Sequence, residues 1–536
     1  MNLKILCIAP YSNYHSLHGL WEMTVLNGLR QRGAEVVYYL CDGLARCCDI
    51  FRLAPAEKDC RDCMERSSAL ARSLRVPYKW LGSVLNKDDE RRAAVFAAEP
   101  AEGEFFQAAD GKFLVGEWVR SSVHTYFREA QLDQHDPAVA ACCREYLRAG
   151  WLYALASERI IKAIKPDVLW LFNGRLAFVK VVAEVAGLHG LPYYAHERGW
   201  LPERLAVNRN DIPMSRAYYD EMWRLWGEVP LDRGELETIT TVLRGRERGE
   251  NLNWIDYSPP PSADNLRSRL GIPDGKRLWG LFTSSEDEAV SLPSFKPGAF
   301  ACQRVWVTRV IEFIRRRPDI HLVVRVHPNT GGKKSTGNCL SSLSFFEELK
   351  GNLPGNVTIV RPDDPVSTYD LMNAAEAGLV YISTCGLELA CRGKPVIWAS
   401  QSEYGGSGVG IVARDPGHYD VLLAALADDP PAVSMDLMRR AHRFFYSAFF
   451  RADFPFPLVS MPDPYTGQLA YASMDDLADG RDSHLDAICR MILSGEPALR
   501  GPSAEQLGRT EQPELEWFAA AVSGRSADID SSADQR

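Results

Sequence analysis

No stretch of this 536-residue chain approaches the roughly 18 consecutive apolar residues that a membrane-spanning helix needs. Nor does it begin like a secretory leader. The short apolar run in Met1–Pro10 stops at the proline, without the longer apolar region and small-residue cleavage site of a signal peptide. It reads as a first buried strand, and a cytoplasmic location with at most peripheral membrane contact is expected. The chain also lacks a run of basic residues: Lys+Arg number 61 against 70 Asp+Glu, a formal net charge of −9. Phosphate neutralisation along nucleic acid needs clustered cations, so the sequence argues against non-specific nucleic-acid binding. A local basic pocket for one nucleotide remains compatible. No internal repeat at a fixed short period is present. Hydrophobic residues at 46% and charged residues at 24% are the balance of a folded globular protein, not of a disordered, collagenous or coiled-coil chain. The length exceeds what one core usually supports, so at least two domains are expected.

Short apolar segments alternate with helical ones, which argues for parallel, doubly wound α/β structure. Leu3–Ala9 reads as a strand, Leu20–Arg30 as a helix stopped by Gly33, and Glu35–Cys41 as a second strand. The loop between, Pro10–Gly19, holds His18. Residues 44–115 interrupt this rhythm with charged, alanine-rich, helical sequence, and a longer helix runs from Ala138 to Ile164. The sheet resumes at Asp167–Phe172, turns at Asn173-Gly174-Arg175, and returns as Leu191–Ala195, ending in the loop His196-Glu197-Arg198-Gly199. A first domain over 1–215, with a helical insertion at 44–165, follows. The prolines of Ser258–Ser262 mark a stiff connector within 216–264. A second α/β domain fills 265–430, with strands at Arg277–Thr283, Ile320–Val326, Val357–Val360, Leu379–Ile382 and Lys394–Trp398. Helices occupy 431–500, and 501–536 reads as a largely flexible tail.

In such sheets ligands bind beyond the carboxyl ends of the strands. Three loops of the second domain carry chemistry there. Ser383-Thr384-Cys385-Gly386-Leu387-Glu388 offers hydroxyls and open N–H groups at a helix start, which suits a phosphate, and a carboxylate that suits ribose hydroxyls. Taken alone, helix capping completed by Glu388 explains it better. Arg325, His327 and Asn329 gather donors at a second strand end, where a lone histidine is often structural. Ser284, Ser285 and Glu286 place hydroxyls beside a carboxylate at a third, or form a solvated capping loop. Their coincidence on one edge raises the functional reading.

The order Ser284-Ser-x-Asp-Glu288, Arg325-Val-His-Pro328, Ser383–Glu388, Gly393-Lys-Pro-Val396 and Tyr404-Gly-Gly406 resembles bacterial capsule and surface-polysaccharide biosynthesis proteins. These are similar to GT-B glycosyltransferases, built of two Rossmann-like domains facing a cleft. His18-Gly19, Cys41-Asp42-Gly43, Asn173-Gly174-Arg175 and His196–Gly199 extend the resemblance across roughly residues 3–450. The His327-Pro328 and Ser383-Thr384 pairs are also similar to nucleotide motifs of Kdo transferases and bacterial sialyltransferases, whose donors are CMP-linked; the base stays open. The resemblance implies a nucleotide-sugar donor on the second domain and a glycan or other hydroxyl acceptor on the first. Glu197 and His18 are then the candidate bases. A structural ion pair and a hydrogen-bonded histidine explain them equally well one by one. No Asp-x-Asp metal motif stands at a clear strand end, and the family does not generally need one.

Thirteen cysteines are present, five of them between Cys41 and Cys63. Cys41, Cys47, Cys60 and Cys63, with Cys48 spare, could hold a structural zinc, Cys60-x-x-Cys63 having the spacing of a chelating turn. Unliganded thiols are the alternative, and an iron–sulfur cluster a lesser one. Three functions are thus carried forward: a glycosyltransferase, a sugar-nucleotide epimerase that needs no acceptor, and a non-catalytic glycan-assembly component of the same fold.

Overall fold

The computed structural model describes residues 3–11, 15–45, 47–50, 52–53, 57–213, 215–250, 258–262, 264–287, 298–331, 340–431, 433–464 and 466–522. Glu288 and residues 523–536 lie outside them. Two parallel sheets organise the chain, giving the α/β class and the two doubly wound, Rossmann-like domains expected. In the first, β1 (Lys4–Ala9), β2 (Glu35–Leu40), β3 (Tyr78–Trp80), β4 (Val168–Phe172) and β5 (Tyr193–Arg198) run parallel in the order β3-β2-β1-β4-β5. β6 (Arg204–Arg209) folds back antiparallel on β5. In the second, β7 (Arg277–Phe282), β8 (Ile320–Arg325), β9 (Val357–Val360), β10 (Ala377–Val380), β11 (Val396–Trp398) and β12 (Ile411–Val412) lie in the order β9-β8-β7-β10-β11-β12, all parallel.

The nearly continuous apolar strands follow from burial on both faces. Ile5 and Cys7 of β1 enter one core with Trp21 and Leu26, while Leu6 and Ile8 enter another with Trp151 and Val181. Alternation repeats in β7: Trp279 and Leu281 feed the outer core of the second domain. Leu278 and Phe282 join a core continuous with the first domain. The two sheets therefore share buried material along their seam.

The helices α1 (His15–Gln31), α2 (Glu57–Ser73), α3 (Lys87–Ala98), α4 (Val115–Phe127), α5 (Pro137–Ile164), α6 (Ala177–Leu188), α7 (Arg216–Trp226) and α8 (Arg233–Glu247) belong to the first domain and the connector. Asp136 caps α5 through the N–H groups of Ala138 and Val139, with Pro137 at its first position, as helix starts favour. The insertion is not purely helical, because Tyr78–Trp80 leaves it to become the edge strand of the first sheet. None of the helices among the described residues is long and apolar enough to cross a membrane.

The chain returns to the first domain after the second. Phe454–Pro455 (β13) pairs with β6, and Leu485 of helix Ser483–Ser494 packs on Gly28 of α1, where an added Cβ would lie 2.9 Å from it. The stretch expected to be flexible from residue 501 carries the helix Gln512–Val522. Its fully buried Glu514 accepts from Arg443 and from the Leu231 N–H at 2.8 Å. A paired buried charge of this kind holds the segment in place, which composition alone could not reveal.

Candidate functional site

Strand order reverses between β1 and β4 in the first sheet and between β7 and β10 in the second, the switch points at which doubly wound folds bind ligands. At the first, the candidate bases meet. α1 starts at His15, earlier than the sequence suggests, so His18 is a helix residue rather than a loop residue. β5 continues through Arg198 because β6 pairs back on it, setting Glu197 opposite Ala206; Glu197 is therefore a strand residue. His18 Nε2 lies 3.6 Å from Glu197 Oε1. Glu197 Oε2 accepts from Asn173 Nδ2 at 2.8 Å, and Oε1 from the Arg198 N–H at 2.9 Å.

Asn173 holds φ at +59°, a left-handed conformation that its short polar side chain tolerates. Its Oδ1 accepts from the N–H groups of Arg175 and Leu176, fixing the turn that aims Nδ2 at Glu197. Exposure separates the candidates: the His18 side chain is 2% exposed and that of Glu197 16%. A proton acceptor must touch its ligand, so Glu197 is the better placed. His196 is fully buried, stacked on Trp170 at 4.6 Å and 3.5 Å from Glu22, which itself accepts from Tyr38 at 2.7 Å. That layer braces the site from below. Arg198 donates to the Pro464 carbonyl at 2.7 Å.

The second switch point divides the donor candidates into half-buried and buried sets. Ser285, Glu286, His327, Ser383 and Thr384 are half-buried, whereas Ser284, Arg325, Asn329, Gly386 and Glu388 are buried. Ser284 braces the switch strands: its N–H donates to Gln303 Oε1 at 2.6 Å, and its Oγ accepts from the Ile382 N–H at 3.3 Å. Glu286 accepts from the Gln303 N–H at the start of helix Gln303–Arg315, and burial raises its carboxyl. Arg325 donates to the Arg361 carbonyl and, at 3.4 Å, to Thr368 Oγ1, while its Nη2 has no hydrogen-bond partner among the described residues. Burial lowers its guanidinium to about 10.

His327 Nδ1 accepts from the Asn329 N–H at 3.2 Å, which places the neutral ring's proton on Nε2. Burial first, then the positive fields of Arg325 and Arg128, lowers His327 to about 4, so it is neutral at physiological pH. Ser383 Oγ accepts from the Cys385 N–H at 3.3 Å, but Thr384, the cap residue, makes no side-chain cap bond. The helix Cys385–Cys391 has seven residues, too few for the dipole argument made from sequence. A Cβ on Gly386 would meet the Trp398 ring at 2.3 Å, so this glycine serves helix–sheet packing. Glu388 completes no capping box. Its Oε1 accepts from Arg246 Nε and Nη2 of α8 at 3.2 and 2.9 Å, and its Oε2 is buried without a partner among the described residues.

Glu403, on the loop after β11, went unnoticed in sequence. Its Oε2 is shielded and has no hydrogen-bond partner among the described residues, and burial raises the carboxyl to about 7. Only the adjoining Tyr404-Gly405-Gly406 motif marks that loop.

The cysteines do not form the metal site expected. Among the described residues, no group of three or more His, Cys, Asp or Glu could hold a metal ion. Cys47 points from a two-residue strand into the core that contains Cys142, while Cys41 accepts from the Tyr153 hydroxyl at 3.2 Å. Cys60 and Cys63 lie on α2, where Cys60 packs against Gly43. Cys41 and Cys60 come near enough for one thiol to act on the other, but Cys47 turns into the core, so no third thiol among the described residues joins them and neither zinc nor a cluster fits the set.

No family model matches the chain, and no curated protein matches it. Among solved structures it is similar to the β-Kdo 2,4-transferase KpsC of Thermosulfurimonas dismutans, at 15% identity and a TM-score of 0.37, over 58% of this chain and 87% of that one. It is similar to the UDP-GlcNAc 2-epimerase of Neisseria meningitidis bound to UDP-GlcNAc, at 10% identity and a TM-score of 0.27, over 83% and 97%. The glycosyltransferase SnogD of Streptomyces nogalater matches at 13% identity and a TM-score of 0.25, over 91% and 100%. Likenesses at these values carry no functional argument. Function must be read from the chain's own residues.

Proposed function

We propose that the protein transfers a sugar from a nucleotide-sugar donor to an acceptor hydroxyl, in surface-polysaccharide or related glycan assembly. The observation that carries this is Glu197, half-buried at the first switch point, held by Asn173 and the Arg198 N–H beside His18. In the reaction the acceptor oxygen bonds to the anomeric carbon, and the carbon–oxygen bond to the donor phosphate breaks. The acceptor proton passes to Glu197, and the nucleotide leaves with the bonding electrons on its phosphate. The donor belongs on the second domain, where Ser285, Ser383 and Thr384 offer hydroxyls. His327 adds a neutral ring within the positive field of Arg325 and Arg128, a field of the sign that favours negative charge developing on a phosphate.

Thermal unfolding in the presence of CMP, UDP, GDP and dTDP tests the donor half. Saturable stabilisation by one nucleotide is expected, because a ligand of the native state stabilises by mass action. No stabilisation by any of the four would count against the reading. Conversion of the donor without acceptor would reassign the chain to sugar-nucleotide epimerisation, and nucleotide binding without any turnover to a non-catalytic role.

A further inference from the structure

The helical insertion, read from sequence only as an interruption, ends α4 between the two switch points. The last turns of α4 reach both. Ser121 Oγ and Thr125 Oγ1 accept from Arg175 Nη1 at 3.0 and 3.2 Å, and Arg175 follows the Asn173 turn that holds Glu197. On the other side, Arg128 Nε lies 3.3 Å from Asp287 Oδ2, and its Nη2 donates to Ser285 Oγ at 3.4 Å. The Arg128 and Asp287 side chains are 5% and 3% exposed, so this ion pair between the domains is out of water. Glu129 extends the contact by accepting from Arg304 at 3.1 Å and from Ser341.

Arg128 ends α4 in the left-handed conformation, φ +57° and ψ 36°, where glycine or asparagine is the usual residue. Lys165 ends α5 in the same conformation, so the bridge rests on the Arg128 side-chain contacts rather than on the cap. The turn is further fixed by His124, whose Nδ1 bonds the Glu129 carbonyl at 2.7 Å while its Nε2 accepts from Arg120 at 3.3 Å. Burial lowers His124 to about 4, which keeps the ring in that neutral, one-donor form. Residues 128–131 also form one wall of a cavity whose other wall includes Thr283–Asp287, Gln303 and Phe345.

We infer that the carboxyl-terminal turn of α4 is a positioning bridge between the two switch-point loops, with Arg128 setting the shape of Ser285–Asp287. The bridge as a structural element stands independently of the proposed transfer; what it positions, a nucleotide loop and a proton acceptor, rests on that reading. Arg128 is a positioning residue rather than a catalytic one.

Hydrogen exchange of the unliganded, full-length protein tests the bridge itself. Arg128→Ala should speed exchange of the Ser284–Asp287 amides by about tenfold or more, since a loop loses protection when its anchoring contacts go. The middle of α5 should be unaffected. Asp287→Asn, made on the opposite domain, should release the same amides, and the double variant should add little to either single change because both remove one pair. Arg128→Lys, which keeps the charge, should restore part of the protection. Unchanged exchange in both single variants, or strictly additive effects, would overturn the bridge. In the same variants, affinity for whichever of CMP, UDP, GDP or dTDP binds the native protein should fall while the α5 core stays protected. If none of the four binds the native protein, the proposed function fails, while the exchange result still decides the bridge.

Discussion

Glu388 was the sequence's candidate for gripping a ribose, and its surroundings allow the ligand role to be separated from a structural one. Its carboxylate is buried, 3% exposed, and Oε1 takes two hydrogen bonds from Arg246, itself only 15% exposed. The pair joins α8, in the connector, to the helix after β10. Glu388→Ala leaves a buried guanidinium without its counter-charge, a change that costs about 3–5 kcal/mol. Glu388→Gln keeps the shape and one acceptor oxygen, so it should cost less, about 1–3 kcal/mol. For a domain of this size the alanine variant should melt lower by roughly 10 °C, at about 2–4 °C per kcal/mol. Urea unfolding followed by tryptophan fluorescence reads both variants. Nucleotide titration of the folded glutamine variant reads the ligand role: with both carboxylate oxygens buried, affinity should change little. An alanine variant within about 0.5 kcal/mol of the native protein would refute the reasoning, since a surface-like effect cannot come from a broken buried pair.

Thr384→Ala should change stability by less than about 0.5 kcal/mol, because this hydroxyl caps nothing, yet should weaken nucleotide binding. Equal loss of stability and affinity in calorimetry would assign the residue to the fold instead. Glu403, whose carboxyl is raised from an ordinary 4.5 to about 7, gives a pH signature. A raised carboxyl contributes stability that is complete below its unfolded value and is lost as pH rises through the folded one. Non-titrating Glu403→Gln should therefore gain on the native protein by up to about 3 kcal/mol between pH ~4.5 and above ~7. A gap independent of pH in urea unfolding would contradict that burial.

Much of the fold was legible because buried parallel strands write themselves as short apolar runs: β1, β2, β4, β7 and β8 lie where the pattern put them. Tyr78–Trp80 escaped because a three-residue edge strand leaves no run to find, and β6 because antiparallel pairing beyond Arg198 depends on a partner, not on pattern. His18 and Glu197 were singled out from separate motifs, but their meeting is a product of the switch-point topology, which brings the start of α1 to the end of β5. Glu388 could not be read, since its partner Arg246 lies 142 residues away in the sequence. The cysteines misled for the opposite reason. Closeness in sequence implied a shared site, whereas the short hairpin turns Cys47 into the core, away from Cys41 and Cys60, so no third ligand among the described residues joins that pair.

The central claim, that Glu197 takes the acceptor proton, is tested most directly by single-turnover sugar transfer in Glu197→Gln. The substitution keeps the side chain's shape and one acceptor oxygen, for the Asn173 amide or the Arg198 N–H but not both, and removes proton acceptance. Nucleotide affinity should be unchanged, while the rate of transfer should fall by about 10²–10⁴-fold. His18→Ala, which removes a neighbour rather than the acceptor itself, should lower the rate less. Transfer at the native rate in Glu197→Gln, with His18→Ala inactive, would contradict the assignment and move the base to His18.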